Sequence, residues 1–466
     1  MTNITSHLTN RWTKANGYRE VLGIALPLIL STGSWSLQLF IDRMFLTWYG
    51  AETIAAAMPA GIVNFTLISF FMGITSYVNT FVAQYYGAGR LSRIGPSLWQ
   101  GIYTGIAGGI IIMLFIPLAD PLFAYAGHGT TIAALETLYF KTLCYGAAPV
   151  LITTAMSSFY TGLGKTWPVM WIAFTATAIN IVFDYLLIFG KMGFPEWGIY
   201  GAAVATNLSA LGSMIIYSIL LSQRKHNRYS LRNWYPDPGL LRRLLWYGGP
   251  GGMQFFLEVA GFSVFIIIAG SIGATELAAT NIAFSINTLS FMPVYGLSIA
   301  VATMVGQNLG NNNIIGAEQS VKSGLHIALI YMTIIVILFM FLPGLFIENF
   351  TRNSSSETMN TIRGMGVIML RFIAIYSFFD TLNILYGSAI KGAGDTRFVM
   401  FTTLILSMLI LVLAPILFIK SLNHGIYTAW ILITAYVVLL GIIFYFRYKG
   451  GKWKTIRVIE HSVIDE

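Results

Sequence analysis

Gln254-Phe255-Phe256-Leu257-Glu258-Val259-Ala260-Gly261-Phe262 lies inside an apolar run of residues 250–270, long enough to cross a bilayer as a helix. An acid at the centre of such a helix costs about 2.5–3.5 kcal/mol on insertion scales. Glu258 therefore needs a protein interior, a partner or a task. Satisfaction by a neighbouring helix is the structural explanation. Intramembrane acids mark ion and solute pathways by default, which is the functional one.

The rest of the chain has the same character. Of its 466 residues 56% are hydrophobic and 10% charged, against about 25% charged in soluble globular proteins. Apolar blocks run over 20–47, 54–86, 98–118, 132–160, 167–190 and 199–222, then over 248–270, 278–309, 324–348, 364–390, 397–419 and 425–446. Such long runs specify an all-α integral membrane protein with twelve transmembrane helices, not a β-barrel of short alternating segments.

The net charge of +9 does not describe a nucleic-acid surface. Arg224, Lys225, Arg228, Arg232, Arg242 and Arg243 crowd one connection, Arg11, Lys14 and Arg19 precede the first block, and Arg447, Lys449, Lys452, Lys454 and Arg457 follow the last. With both termini in the cytoplasm, all of the 27 Lys and Arg fall inside except Arg43, Lys141, Lys191, Arg352, Arg363, Arg371 and Lys420. That is the positive-inside pattern. The polar N-terminal stretch carries no separate cleavable signal, so the first span is expected to direct its own insertion. Cys144 stands alone, which excludes an intrachain disulfide.

The chain repeats itself. A shift of 223 positions pairs Pro27 with Pro250, Gly50 with Gly273, Asn64 with Asn287, Gly73 with Gly296, Gln84 with Gln307 and Gly101 with Gly324. A shift of 230 pairs Gly162 with Gly392, Gly164 with Gly394 and Thr166 with Thr396. Six spans per half put both halves the same way up, as two pseudo-symmetric parallel repeats with a cleft expected between them. The expected organisation is a cytoplasmic N-terminus (1–19), an N-lobe (20–222), a basic cytoplasmic linker (223–247), a C-lobe (248–446) and a cytoplasmic tail (447–466). Asn64 and Asn287 could bond across helices or line the cleft.

Four of the eighteen acids lie well within apolar blocks: Asp42, Asp184, Glu258 and Asp380. Each follows a polar residue by four positions, one turn away on the same face: Gln38, Asn180, Gln254 and Tyr376 in that order. The shifts that superpose the scaffold do not superpose the acids, which favours function over architecture. Carboxylates beside amide and hydroxyl oxygens suit hard cations such as Na⁺. Burial also suits carboxylates to proton exchange. For Asp42 the structural alternative is a local pair with Arg43.

Catalytic motifs fail. Gly162-Leu163-Gly164-Lys165-Thr166 resembles a phosphate loop, but Phe159 stands where the Walker pattern needs glycine. No nucleophile, metal or cofactor constellation is present, so no enzyme is expected, and uphill transport would have to draw on an ion gradient.

Phe40-Ile41-Asp42-Arg43-Met44-Phe45, Val82-Ala83-Gln84-Tyr85-Tyr86-Gly87-Ala88-Gly89, Phe256-Leu257-Glu258-Val259-Ala260-Gly261-Phe262 and Val305-Gly306-Gln307-Asn308-Leu309-Gly310, with the paired Gly-x-Gly-x-Thr turns, resemble the multidrug and toxic compound extrusion (MATE) transporters. The resemblance covers residues 20–446 and leans to the NorM-like branch. It implies alternating access and export of small organic cations against Na⁺ or H⁺. By the same resemblance Glu258, Tyr376 and Asp380 form a C-lobe cation site. Asp42, Asn180, Asp184 and, less closely matched, Thr206 form an N-lobe site, with Gln38, Gln254, Asn64 and Asn287 as supporting polar groups. The expected setting is a monomer among the lipids of a bacterial inner membrane. A lipid-linked oligosaccharide flippase of the wider superfamily is the rival; it would be expected to line its cleft with more Arg and Lys than these spans hold.

Overall fold

Nearly every apolar block becomes a helix, because in hydrocarbon each backbone N–H and C=O must find its partner within the segment. The computed structural model describes residues 11–351, 357–421 and 425–460. Residues 1–10, Arg352, the side chain of Lys420 and tail residues 461–466 lie outside the described residues. The first half contains α1 (Tyr18–Tyr49), α2 (Ala51–Ser76), α3 (Val78–Gly87), α4 (Ile94–Met113), α5 (Ala119–Ala126), α6 (Thr130–Tyr145), α7 (Ala147–Gly162), α8 (Trp167–Ile188) and α9 (Ile199–Leu221). The second contains α10 (Pro238–Ile272), α11 (Ala274–Gly310), α12 (Ile314–Phe341), α13 (Pro343–Thr351), α14 (Glu357–Ala393), α15 (Thr396–Leu406) and α16 (Ile426–Lys449). Among the described residues eleven helices are long and apolar enough to cross a membrane, and α6 with α7 makes a twelfth as one span bent by 45°.

That bend falls within the fourth apolar block, 132–160, and it has a cause. Asn207 on α9 donates from Nδ2 to the Thr142 carbonyl at 2.7 Å, at the end of α6. The break falls at Gly146, where an added Cβ would lie 1.9 Å from Asn207 Oδ1. The amide wedges into space that only glycine leaves. The eleventh span is irregular too: α15 runs into wide π turns at Ser407–Leu413 and Ile416–Ser421.

The repeat is physical as well as textual. Gly164 N–H donates to Thr161 O at 2.8 Å and Lys165 N–H to Tyr160 O at 2.9 Å; 230 positions on, Gly394 donates to Lys391 O at 3.0 Å and Asp395 to Ile390 O at 3.1 Å. Gly164 and Gly394 turn these corners at φ +71° and +118°, conformations that glycine adopts without a Cβ penalty.

The chain resolves into two compact units. The N-unit holds Leu30–Phe256 and Val458–Glu466, and the C-unit holds Met1–Ile29 and Leu257–Arg457. Against the expected lobes, the N-terminal part of α1 belongs to the C-unit and the N-terminal part of α10 to the N-unit, which also takes the chain from Val458 on. Close backbone packing explains both assignments. A Cβ on Gly73 would lie 2.5 Å from Gly252 Cα, and a Cβ on Gly296 2.8 Å from Ile29 N. Gly73 and Gly296 are partners under the 223 shift, and so are Ile29 and Gly252. The same small-residue contact is thus built twice.

The basic connection is more ordered than a linker of 223–247 implies. It makes a 3₁₀ turn (Arg224–Tyr229), and α10 begins at Pro238. His226 and Tyr229 are buried and Trp99 Nε1 donates to Leu231 O at 2.8 Å, while Arg224, Lys225, Arg228 and Arg232 stay exposed. Burial, and secondarily the nearby Lys225, holds His226 below its ordinary pKa and therefore neutral at pH 7.

Candidate cation sites in the two units

In the N-unit, α1 carries Asp42 and α8 carries Asn180 and Asp184 one turn apart. Asp42 is 8% exposed, Asn180 and Asp184 0%. The three side chains are neighbours. Oδ1 of Asp42, both carboxylate oxygens of Asp184 and both side-chain polar atoms of Asn180 nevertheless lack a hydrogen-bond partner. Unsatisfied buried polar groups cost about 1–3 kcal/mol each, more when charged. Two adjoining buried carboxylates cannot both stay ionised without a proton or cation between them. Arg43 does not neutralise Asp42 as a buried pair: it is exposed and attracts only through space. Tyr139 on α6, which the sequence did not single out, lies within electrostatic reach of both acids.

The remaining N-unit candidates separate. Thr206 turns its hydroxyl onto Ala202 O of its own helix at 3.1 Å. Asn64 donates to Cys144 Sγ at 3.6 Å, a bond between α2 and α6 that supports the scaffold. Gln38 is half-buried one turn before Asp42. Gln254 is 5% exposed and falls in the N-unit, whereas Glu258, one turn on, is accessible and falls in the C-unit.

In the C-unit, Glu258 on α10 and Asp380 on α14 lie within electrostatic reach of each other. Asn383 donates to Asp380 Oδ1 at 3.1 Å. Tyr376, buried at 3% exposure, feels the charge of Asp380 and takes a 3.4 Å bond from Asn287 Nδ2. Asn287 therefore joins this site, while its repeat partner Asn64 serves packing. Tyr295, Tyr436 and Lys391 also feel Glu258. Tyr436 accepts from Ser407 in the first π turn at 3.1 Å. Asn383 could have been found three residues after Asp380, on the same helix face.

Burial also reaches an acid outside those four. Glu136, near the edge of its apolar block, is 0% exposed and pairs with His128 at 2.8 Å. Among the described residues no group of three or more His, Cys, Asp or Glu could hold a metal ion.

Two repeated bundles of membrane-length helices, each with buried or facing carboxylates, define a multi-pass membrane transporter. The chain matches the MatE family over residues 27–186 and 250–416, two stretches whose starts are 223 positions apart like the repeat itself. It belongs to that family of multidrug and toxic compound extrusion transporters, and is not an enzyme. It is 28% identical over 389 residues to a probable multidrug resistance protein NorM of Bradyrhizobium diazoefficiens, covering 82% of each chain. It is 26% identical over 457 residues to the namesake from Thermotoga maritima, covering 96% of each. An outward-facing multidrug resistance MATE transporter of the MOP superfamily shares the fold at TM-score 0.84 and 19% identity, over 94% of this chain and 98% of that one. A MOP superfamily transporter from Pyrococcus furiosus, with a binding pocket of reversed polarity, does so at 0.82 and 19%, over 94% and 97%.

Proposed function

We propose that this protein is a secondary antiporter that exports small organic cations from the cytoplasm in exchange for Na⁺ or H⁺. It works as a monomer in a bacterial inner membrane, with the termini and the basic connection after α9 on the cytoplasmic side. The observation that carries the proposal is the unbonded, buried Asp42–Asp184 pair, a charge arrangement that is stable only with a proton or a cation. Loading from outside neutralises that pair. Unloading to the cytoplasm resets it. Glu258, with Asp380, Tyr376 and Asn287, offers the negative charge that a cationic solute would use. Exchange of one cation for another moves no net charge, so the drive is the chemical gradient of the coupling ion: a tenfold gradient supplies about 1.4 kcal/mol, a tenfold solute ratio.

Reconstitution in proteoliposomes tests this. A Na⁺ gradient and a pH gradient are imposed separately and efflux of a fluorescent organic cation is followed. Efflux driven by either one supports the proposal and names the ion. Efflux driven by neither, or movement of a lipid-linked sugar instead, refutes it.

A further inference from the structure

The end of the described chain is held by charge. In the N-unit the backbone N–H of Val458 donates to Gln84 Oε1 at 2.9 Å. Glu460 Oε2 accepts from the Tyr85 hydroxyl at 2.7 Å, Oε1 pairs with Arg93 at 3.1 Å, and its carbonyl accepts from Arg90 at 2.8 Å. Arg243 bonds both the Val458 carbonyl and the Glu460 carboxylate. Val458 is 0% and Ile459 8% exposed. Three guanidinium groups thus converge on one three-residue segment.

The positive-inside rule accounts for arginines at this end of the helices, but not for their convergence. Shifting the socket by 223 positions shows the difference. Tyr85, Arg90 and Arg93 become Asn308, Asn313 and Gly316, and Arg243 becomes Glu20. In the C-unit Asn313 bonds Asn308 at 3.2 Å and Asn308 bonds Asn16 at 2.7 Å, amide to amide. Among the described residues, only the half that receives the tail has a cationic socket there.

The residues just before belong to the C-unit. Trp453 is 0% exposed, stacks on Tyr448 at 5.0 Å and donates to its carbonyl at 2.9 Å. Lys454 pairs with Glu318 at 2.5 Å. The chain passes from one unit to the other at the Arg457–Val458 bond.

We propose that residues 458–460 are a releasable C-terminal strap, seated in the N-unit socket of Gln84, Tyr85, Arg90, Arg93 and Arg243, that brakes the transport cycle because the units cannot move freely until it leaves. Its role as a brake rests on the alternating-access function proposed above; its seating does not.

Ile459→Cys supplies the reporter, labelled with a membrane-impermeant maleimide in inside-out vesicles, its own efflux and labelling rates being the reference for every variant built on it. Seated, it labels slowly. Glu460→Ala should speed labelling about tenfold or more, the scale of one charge-assisted hydrogen bond, and Glu460→Asp should restore much of the protection. Turnover of a fluorescent organic cation under the driving gradient should also speed labelling. Ending the chain after Arg457 should raise the efflux rate several-fold. Labelling unchanged in Glu460→Ala, or unchanged during turnover, overturns the strap, as does an unchanged efflux rate in the truncated chain. Wild-type protein that moves no organic cation under either gradient refutes the proposed function and the brake with it. In that case faster labelling of Glu460→Ala would still establish the docked tail.

Discussion

Asp42 on α1 and Asp184 on α8 adjoin in the interior of the N-unit, and neither oxygen of Asp184 is bonded. Asp184→Asn removes one charge while keeping the shape. The variant should reach the membrane folded and more heat-stable than the wild type, by about 1–3 kcal/mol for the charge no longer left unsatisfied. Gradient-driven accumulation, about tenfold for one-for-one exchange against a tenfold ion gradient, should fall to none. Thermal unfolding in detergent and dye efflux measure the two effects. A variant that is both less stable and fully active would refute the role given to this pair.

Asn383 holds Asp380 through a single bond. Asn383→Leu should leave folding intact and weaken the half-saturating solute concentration about tenfold, the scale of one hydrogen bond to a charged group. Initial efflux rates over a concentration series test it, and an unchanged half-saturation would show the bond to be incidental.

Gly73 and Gly296 occupy equivalent contacts with no room for a methyl group. Either one replaced by Ala should destabilise the protein by about 1–3 kcal/mol, the usual cost of overpacking. Gly23→Ala and Gly33→Ala on α1, where a Cβ meets nothing within 4 Å, should be neutral or stabilising. Differential scanning of the four variants compares them directly.

The bend between α6 and α7 makes a coupled prediction. Gly146→Ala should be destabilising through its clash with Asn207. Adding Asn207→Ala should recover part of the loss, with a coupling of about 0.5–3 kcal/mol in the double-mutant cycle. Strict additivity would mean that the amide does not set the bend.

Docking of the tail has a calculable pH window. Burial alone would raise the Glu460 carboxyl, but the Tyr85 hydroxyl and the Arg243 and Arg93 guanidinium groups outweigh it and hold the pKa at about 2. Arg90 and Asp237, the latter paired with Arg93 at 3.2 Å, complete the charged surroundings. A depressed carboxylate stabilises the docked state above the free group's pKa, 4.5, and loses that stabilisation as pH falls through about 2. The reactive thiolate fraction itself falls with pH, so labelling at position 459 is taken relative to the same cysteine in the Glu460→Ala chain at each pH. This ratio should be flat from pH 7 to about 5 and rise below that. A rise centred near pH 6.5 would point to a histidine instead.

Much of this architecture is legible in the sequence. Long apolar runs dictate helices, and glycines recurring at one shift marked contacts that the structure builds twice. The four acids were conspicuous because charge in an apolar run is costly. Other features depend on partners distant in sequence. Nothing near Gly146 announces Asn207, and Glu136 hides its burial at a block edge where water would be the default. Tyr139, Tyr295 and Tyr436 look like ordinary core residues until the fold brings carboxylates near. Thr206, matched by resemblance, donates its hydroxyl to its own helix, which leaves its lone pairs free.

The exchange of helix ends carries a consequence for how the molecule is made. A chain holding only the first half would lack residues 238–256, which complete its own unit, and would carry residues up to 29 that complete the other. Neither half is then self-sufficient at the ribosome. The N-unit has to wait, with the face around Gly73 uncovered, until the start of α10 has been synthesised. The smallest closed assembly is the whole chain, or two copies of a half, each lending its first helix to its twin.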